Sequence, residues 1–377
     1  MAERSTIGIL FSVSDGWIGG SYYFLNIIAA INNLPDEKKP ILLIYSSDTS
    51  GYEAAKKIGY PYLLYKNSAF KYSLIERVIN KASRLLFKQN IIVKGLSEKE
   101  MPVLFGYYEQ LMFYKCKRKV YWIPDFQEHY YPDFLGEDIV LDRRKKHLEL
   151  IRRNAEFVFS SESALNDFNS IYPKNSCKIS VVKFAVTHTN YDFVDIKKLQ
   201  GKYNFKDSYF FTPNQFWAHK NHLIILKALV VLKKEGVFVQ FLFSGKLNEN
   251  DSHVKRLFAF IKENDLDKQI VFLGFIAREE QLCIMKNAIA VVQPSLFEGW
   301  STVVEDAKAM GKYIVASDLV VHQEQILEDN VAFFNPFDEH DLSGIIKELI
   351  SINPKDVKIN YQDKINAFAK DFLEAMD

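Results

Sequence analysis

The stretch AIAVVQPSLFEGWSTVVEDAKAMGKYIVASD, residues 288–318, decides the fold, because a strand, a loop, a helix and a second strand follow one another in it without a break. Continuous apolar runs at its two ends predict strands that are buried on both faces. Between them lies a helical pattern in which Val303, Ala307 and Met310 share one side. Two strands joined by a helix in this way are typical of a parallel α/β sheet.

Two acidic residues flank the start of that helix. Glu298 precedes Gly299 in the loop, and Asp306 lies about one turn inside the helix, which Ser301 can cap. Free N–H groups at a helix start favour a phosphate, and carboxylates accept hydrogen bonds from hydroxyls. The arrangement predicts a sugar-nucleotide site, with one acid on the sugar and the other on the ribose. On spacing alone, the alternative that Asp306 or Glu305 only complements the helix dipole stays open.

The same alternation runs through most of the chain. It predicts first-half strands at 6–13, 39–46, 119–123, 156–161 and 178–184, and helices near 21–33, 52–58, 72–90, 97–113 and 137–153. A second series starts at Tyr209. We therefore predict an α/β protein of two Rossmann-like, doubly wound parallel-sheet domains that face each other across a cleft. The predicted boundaries are an N-terminal acceptor-binding domain at 1–190, a linker at 191–204, a nucleotide-sugar-binding domain at 205–358, and a C-terminal helix at 359–377 that packs back on the first domain.

Composition argues against several classes of protein. The 48 lysines and arginines nearly balance the 47 acidic residues, so bulk charge gives no basis for a nucleic-acid partner. The three cysteines lack a C-x-x-C spacing and fit buried thiols in a reducing cytosol rather than a zinc site. Since no apolar run approaches the ~18 residues of a membrane span, we expect a cytoplasmic protein, free in solution or held at a membrane surface.

The order strand, PSLFEG, helix and GKYIVASD resembles the donor-binding signature of the retaining glycosyltransferase family 4, a GT-B family among the glycosyl transferases group 1. The E-x7-E pair of that family corresponds to Glu298 and Asp306, so its second glutamate is an aspartate here. The stretch TPNQFWAHKNHLIILKAL, residues 212–229, is similar to the family's phosphate loop, with the lysine at Lys220. The arginine that the family often has five positions earlier is Gln215 in this chain.

The resemblance implies a donor site in the second domain, with Glu298 and Lys220 as catalytic residues. Phe275 and Ile276 would lie against the base, although either also suits a core. The implied donor-binding residues are Gly19, Gly20, Asn214, Gln215, Lys220, Ser244, Gly245, Phe275, Ile276, Glu298, Gly299, Trp300, Ser301, Thr302, Val303 and Asp306.

The first domain contributes fewer motifs. Gly19 and Gly20 follow the first strand and open a helix, where the family has a glycine loop near the donor phosphates and the acceptor. The segment WIPDFQEHYYPDF, residues 122–134, resembles a part of the family that faces the cleft, which implies that Asp125 and His129 lie on the acceptor side. His129 is a third catalytic candidate; a hydrogen-bonded structural histidine is an equal alternative.

The chemistry implied by the resemblance is transfer of a hexose from a nucleotide-diphosphate sugar to a hydroxyl, with retention of anomeric configuration. It needs no cofactor and no metal ion, and the chain has no D-x-D pair in a strand-end loop. The implied acceptor is a saccharide or a lipid-linked saccharide in cell-surface polysaccharide synthesis. A sugar-nucleotide epimerase, a phosphorylase-like enzyme, and a non-catalytic nucleotide-sugar-binding or scaffold subunit are the alternatives.

Residues 71–90 form a basic amphipathic pattern that could hold the protein at the inner face of a membrane, near a lipid-linked acceptor. Its basic positions are Lys71, Arg77, Lys81, Arg84 and Lys88. The alternative is an ordinary solvated helix whose apolar stripe packs on the first sheet.

Overall fold

The computed structural model describes residues 4–14, 16–68, 73–87, 91–92 and 100–377, which divide into two compact units. Unit 1 is Met1–Phe126, Asp138–Thr187 and Gln362–Asp377. Unit 2 is Gln127–Glu137 and His188–Tyr361. The chain therefore enters unit 2 briefly at 127–137, and its last helix returns to unit 1.

Unit 1 is built on a parallel sheet of seven strands in the order β3-β2-β1-β4-β5-β6-β7. The strands are β1 (Thr6–Leu10), β2 (Ile41–Ser46), β3 (Leu63–Asn67), β4 (Val103–Tyr107), β5 (Arg118–Ile123), β6 (Glu156–Phe159) and β7 (Lys178–Val181). The helices of this unit are α1 (Ile18–Asn32), α2 (Ser50–Lys56), α3 (Leu74–Phe87), α4 (Tyr108–Leu111), α6 (Glu137–Arg152), α7 (Glu162–Ile171) and α15 (Gln362–Met376). The order of the strands reverses between β1 and β4.

Unit 2 has a parallel sheet of six strands in the order β10-β9-β8-β11-β12-β13. The strands are β8 (Phe210–Thr212), β9 (Phe241–Ser244), β10 (Ile270–Gly274), β11 (Val291–Gln293), β12 (Ile314–Ser317) and β13 (Val331–Phe334). Its helices are α5 (Gln127–Tyr130), α8 (Ile196–Tyr203), α9 (His222–Lys234), α10 (Ser252–Glu263), α11 (Arg278–Asn287), α12 (Thr302–Ala309), α13 (Val320–Gln325) and α14 (Glu339–Ile352). Here the strand order reverses between β8 and β11.

Each unit buries its own aromatic core. In unit 1, Phe157, Phe159 and Phe168 pack with ring centroids 5.2–6.1 Å apart. In unit 2, Phe210 stacks on Phe241 at 5.2 Å across two neighbouring strands. The prediction of two doubly wound parallel sheets is confirmed, because the continuous apolar runs of the sequence form strands that are covered on both faces.

Three local predictions were wrong or incomplete. The helix predicted at 97–113 is in its described part the buried strand β4 followed by the single turn α4, while 97–99 lie outside the described residues. The strand β3 was not predicted, because it lies at the sheet edge and is only half-buried. The predicted linker at 191–204 contains α8, which Asp195 caps by accepting the Lys197 N–H at 2.8 Å.

Candidate functional site

The candidate site lies where the strand order of unit 2 reverses. Strands β8 and β11 are neighbours and run parallel, so the loops that follow them leave the same edge of the sheet side by side. Ligands of open parallel sheets bind at such a switch point. The first loop leads to Lys220 and the second to Glu298, which brings the two predicted catalytic residues of the donor site together.

Lys220 and Glu298 form a buried ion pair. The Lys220 Nζ lies 2.6 Å from Glu298 Oε1, and the two side chains are 14% and 9% exposed. The same carboxylate oxygen accepts hydrogen bonds from Ser295 Oγ at 2.7 Å and Gln293 Nε2 at 2.6 Å. Burial alone would raise the pKa of Glu298, but the Lys220 charge and these donors lower it to about 2. Glu298 is therefore an ionised acceptor, held in one orientation.

Buried polar contacts tie the two loops to each other. Asn214 Nδ2 donates to Gln293 Oε1 at 2.9 Å, and the Leu296 N–H donates to the His219 carbonyl at 2.7 Å. His219 also contacts Gln127 at 3.0 Å, which fixes the 127–137 segment to the same loop. These contacts pre-organise the site, because they hold the two loops in one arrangement relative to each other.

The helix after the second loop begins as the sequence predicts. Ser301 Oγ accepts the Val304 N–H at 3.4 Å, and the Ser301 N–H itself donates to Gln325 at 3.1 Å. Within the described part of the chain, the Thr302 and Val303 N–H groups are the first-turn donors left for a ligand. Gly299 and Trp300 lie directly before this start. A helix start with free donors beside Lys220 suits an anion.

Glu305 and Asp306 are both buried, yet they point to different partners. Glu305 accepts Lys308 Nζ and Gln325 Nε2, each at 2.9 Å, and the Tyr361 hydroxyl. Since buried partners contact both of its carboxylate oxygens, Glu305 has a structural role.

Asp306 binds Arg278 through both carboxylate oxygens, with Arg278 Nη1 2.7 Å from Oδ2, and His188 Nε2 lies 3.2 Å from Oδ1. Burial raises its pKa, but Arg278 and His188 together hold the pKa of Asp306 below its usual value. Each carboxylate oxygen has two acceptor positions, so among the described contacts one position on Oδ2 is left. Arg278 and His188 were not predicted as partners, because neither belongs to a recognisable sequence pattern around the acid.

The loop after β9 lies against the loop after β8. A Cβ added at Gly245 would meet the Asn214 carbonyl oxygen at 2.4 Å, so only glycine permits this approach. The Lys246 N–H donates to Gln215 Oε1 at 3.0 Å. Ser244 is buried at the end of β9. Further along the same edge, after β10, Phe275 is exposed and Ile276 is half-buried, so Phe275 is not a core residue.

The predicted residues of the first domain divide between the two units. Gly19 and Gly20 belong to the first turn of α1 rather than to the loop before it. A Cβ at Gly20 would meet the Trp17 ring at 2.6 Å, whereas the space around Gly19 is open. Asp125 is half-buried in unit 1; His129 is exposed in unit 2, next to Tyr130, whose ring stacks on Phe297 at 5.5 Å.

The described residues contain no group of three or more histidines, cysteines or acidic residues placed to hold a metal ion. None of their helices has the length and apolar content that would be needed to traverse a bilayer.

Comparison with known proteins extends the assignment of the fold. Residues 195–365 match the family model of glycosyl transferases group 1. The O-antigen chain mannosyltransferase RfbU of Salmonella typhimurium is 24% identical over 228 residues, which are 60% of this chain and 59% of RfbU. The matched region thus spans little more than half of that curated relative.

Solved structures match over nearly the whole chain. A glycosyltransferase from Rickettsia africae is 15% identical, with a TM-score of 0.64, and the match covers 100% of this chain and 96% of that one. HepE from Anabaena, solved with UDP and glucose, is 16% identical, with a TM-score of 0.65 and coverage of 99% and 95%. The chain therefore has the GT-B architecture, and its residues 195–365 are similar to the glycosyl transferases group 1.

Proposed function

We propose that this protein is a retaining glycosyltransferase that moves a hexose from a nucleotide-diphosphate sugar to a hydroxyl of a saccharide or lipid-linked saccharide, in cell-surface polysaccharide synthesis. The Lys220–Glu298 pair at the switch point of unit 2 is the observation that carries this proposal. The RfbU similarity and the UDP and glucose in the HepE structure support a nucleotide-sugar donor.

Each part of the site has a role in this chemistry. Lys220 and the N–H groups of Thr302 and Val303 stabilise the negative charge of the departing diphosphate. Glu298 accepts hydrogen bonds from hydroxyls of the transferred sugar, and its low pKa keeps it ionised for that task. Asp306, through Oδ2, accepts from one ribose hydroxyl. Phe275 offers an exposed ring beside the edge, against which a base can lie.

Transfer proceeds on one face of the sugar. The acceptor oxygen bonds to the anomeric carbon as the bond from that carbon to the diphosphate oxygen breaks, and the acceptor proton passes to the departing phosphate. No side chain forms a covalent intermediate, so the protein contributes position and charge. Asp125 and His129 are the proposed residues on the acceptor side.

The test is a thermal-shift screen with UDP-, GDP-, ADP- and dTDP-sugars, followed by a transfer assay on saccharide acceptors. We expect one nucleotide class to raise the melting temperature, and Lys220→Ala to abolish that shift. Stabilisation without turnover on any acceptor would favour a non-catalytic binding subunit. Release of free nucleoside diphosphate without an acceptor would favour an epimerase-type enzyme. Absence of any shift would overturn the proposal.

Transfer by this site should need neither a cofactor nor a divalent cation, because the groups proposed to contact the diphosphate are ammonium and backbone N–H groups, which bind phosphate oxygens directly. We expect the rate to be unchanged after dialysis against EDTA. A rate that falls with EDTA and returns with Mg²⁺ or Mn²⁺ would contradict this part of the proposal.

We further propose that α3 holds the protein at the inner, cytoplasmic face of an anionic membrane. Leu74, Ile75 and Val78 are 79%, 73% and 67% exposed. Two buried polar side chains of α3 contact the described residues that follow it: Asn80 donates to the Ile92 carbonyl at 2.8 Å, and Ser83 Oγ accepts the Ile91 N–H at 3.3 Å. These apolar residues of α3 thus point outward. The alternative prediction had placed the apolar stripe against the first sheet.

Charge favours a lipid surface as the partner of this stripe. Arg77 and Lys81 are exposed on the same helix, where they can contact anionic headgroups. Lys71 and Lys88 of the predicted basic pattern, and the side chain of Arg84, lie outside the described residues. We expect sedimentation with phosphatidylglycerol vesicles but not with phosphatidylcholine vesicles. Val78→Glu should abolish it, and Leu327→Glu, on an exposed leucine of unit 2, should not.

A further inference from the structure

The proposed diphosphate site has little net positive charge of its own. Lys220 is the proposed cation of this site, but its ammonium already lies 2.6 Å from the Glu298 carboxylate. Gln215, five residues earlier, is neutral. Two negatively charged phosphate groups would therefore meet an ion pair whose net charge is about zero, together with the backbone dipoles at the start of α12.

The backbone of a second cationic residue, Lys246, passes the neutral position. The backbone of Lys246 is fixed to Gln215 by the hydrogen bond from its N–H to Gln215 Oε1, at 3.0 Å. Gly245 packs against Asn214 and Gln215, and a Cβ atom at position 245 would clash with the Asn214 carbonyl. The Gly245 N–H also donates to the Gly274 carbonyl at 2.9 Å, which fixes the loop from its other side. The start of the Lys246 side chain is thus set beside the phosphate loop.

The charge of Lys246 is not used elsewhere in the described parts of the chain. Lys246 is exposed, and no carboxylate of those residues forms an ion pair with it, in contrast to Lys220. Its four-carbon side chain extends about 6 Å from the Cα atom, so the ammonium group can reach the space next to Gln215. An exposed and unpaired lysine retains its charge for a ligand that arrives from solvent.

We propose that Lys246 binds the diphosphate of the donor and supplies the positive charge that the neutral Gln215 does not. Gln215 acts as the positioning residue: its side-chain carbonyl holds the backbone of Lys246, while the lysine contacts the ligand. This inference rests on the proposed function, since it assumes that the ligand of this site is a nucleoside diphosphate.

The test compares Lys246→Ala with Lys255→Ala, which removes the same charge from an exposed position on α10 of the same unit. Isothermal titration with UDP, GDP, ADP and dTDP first identifies the nucleotide that the wild type binds. We expect Lys246→Ala to weaken that diphosphate about tenfold, and the matching monophosphate, which lacks the second phosphate, less than about twofold. Lys255→Ala should change neither, and Lys246→Arg should retain most of the affinity.

A rescue variant makes the test specific for charge. Gln215→Arg in the Lys246→Ala background returns a cation to the same place, so we expect it to recover diphosphate binding. Wild-type binding with an unchanged Lys246→Ala variant, or equal losses for monophosphate and diphosphate, would overturn this inference alone. A wild type that binds none of the four diphosphates would overturn the proposed function as well.

Discussion

Glu298 owes its fixed charge to three donors on one oxygen, and this makes the site sensitive to acid. A carboxylate whose folded pKa is lowered, here to about 2 from the ordinary 4.5, contributes stability that is present above the unfolded value and is lost as the pH falls toward the folded one. We predict that Glu298→Gln lowers the free energy of unfolding by about 3 kcal/mol at neutral pH, because Lys220 then stays buried without a counter-charge. The difference in the free energy of unfolding between the wild type and this variant should decrease from about pH 4.5 to about pH 2, as Glu298 of the wild type becomes protonated.

Urea unfolding of both proteins at neutral pH and in steps down to about pH 3 measures this difference. Glu249→Gln, on an exposed glutamate of the same unit, is the control and should behave like the wild type throughout. A gap that stays constant over the whole acid range would show that Glu298 does not hold its charge through Lys220.

Residue positions were predictable from the sequence where a strand end fixes them. Lys220 and Glu298 follow apolar runs, and the ends of neighbouring parallel strands must meet, so the pairing of these two residues required no side-chain detail. The partners of Asp306 were not predictable in this way. His188 lies 118 residues before Asp306 in the chain, and its contact depends on how the 188–195 segment crosses the unit. Periodicity contains no information about such pairs.

At the level of elements, α12 holds two adjacent buried acids that have different partners. The Glu305 side is anchored to Lys308, Gln325 and Tyr361, and the Asp306 side faces Arg278 and His188. We predict that Glu305→Gln costs about 3 kcal/mol of stability, because Lys308 stays buried without a counter-charge, while nucleotide affinity changes less than about twofold. Asp306→Asn should weaken the nucleotide by about tenfold.

Urea unfolding gives the stability of each variant, and isothermal titration at a temperature where both remain folded gives the affinity. Comparable losses of affinity in the two variants would mean that α12 acts as one unit, and would remove the support for a separate ribose contact at Asp306. A third variant, Tyr361→Phe, removes one hydrogen bond to Glu305 and should lower stability only.

The first turn of α1 offers a matched pair of glycines. Gly19→Ala places a methyl group in open space and should stabilise the helix by about 0.5–1 kcal/mol. Gly20→Ala drives a methyl group into the Trp17 ring and should destabilise by about 1–3 kcal/mol. Trp17 fluorescence follows the displacement, and urea unfolding gives both energies. If donor phosphates approach Gly19, Gly19→Ala will lose transfer activity although it gains stability; equal effects of the two variants on stability would contradict the geometry.

Elements were predictable where burial is complete and ambiguous where it is not. The central strands appear as continuous apolar runs, whereas the edge strand β3 mixes exposed and half-buried positions and gives no such run. The segment VLFGYYEQLM, residues 103–112, satisfies both periods, since its apolar residues fit a buried strand and one side of a helix equally. Residues Val103–Tyr107 form a strand because they pair with β1 and β5. Such pairing with distant segments cannot be predicted from the local sequence.

For the whole molecule, the two units are not consecutive in the chain, because its last segment belongs to unit 1. The last helix, α15, completes unit 1: Phe372 is fully buried with its ring 5.1 Å from that of Phe105, and Arg118 donates to the Ala375 carbonyl at 3.1 Å. The apolar spacing of Ile365, Phe368, Phe372 and Met376 predicted an amphipathic helix, and all four are buried. The proposed donor contacts of Lys220, Lys246, Glu298 and Asp306, in contrast, belong to unit 2.

This division predicts that damage to unit 1 from the end of the chain spares nucleotide binding. Phe372→Ala leaves a cavity in the core of unit 1 and should cost that unit about 3–5 kcal/mol. Hydrogen exchange followed by mass spectrometry should show faster exchange in peptides from α1, β4 and α15, and unchanged exchange in peptides from α9 and α12. Nucleotide affinity should stay within about twofold of the wild type, as should that of the control Phe113→Ala, on an exposed phenylalanine of unit 1. Faster exchange in both units would mean that they unfold together, and that the stability of the donor site depends on the C-terminal helix.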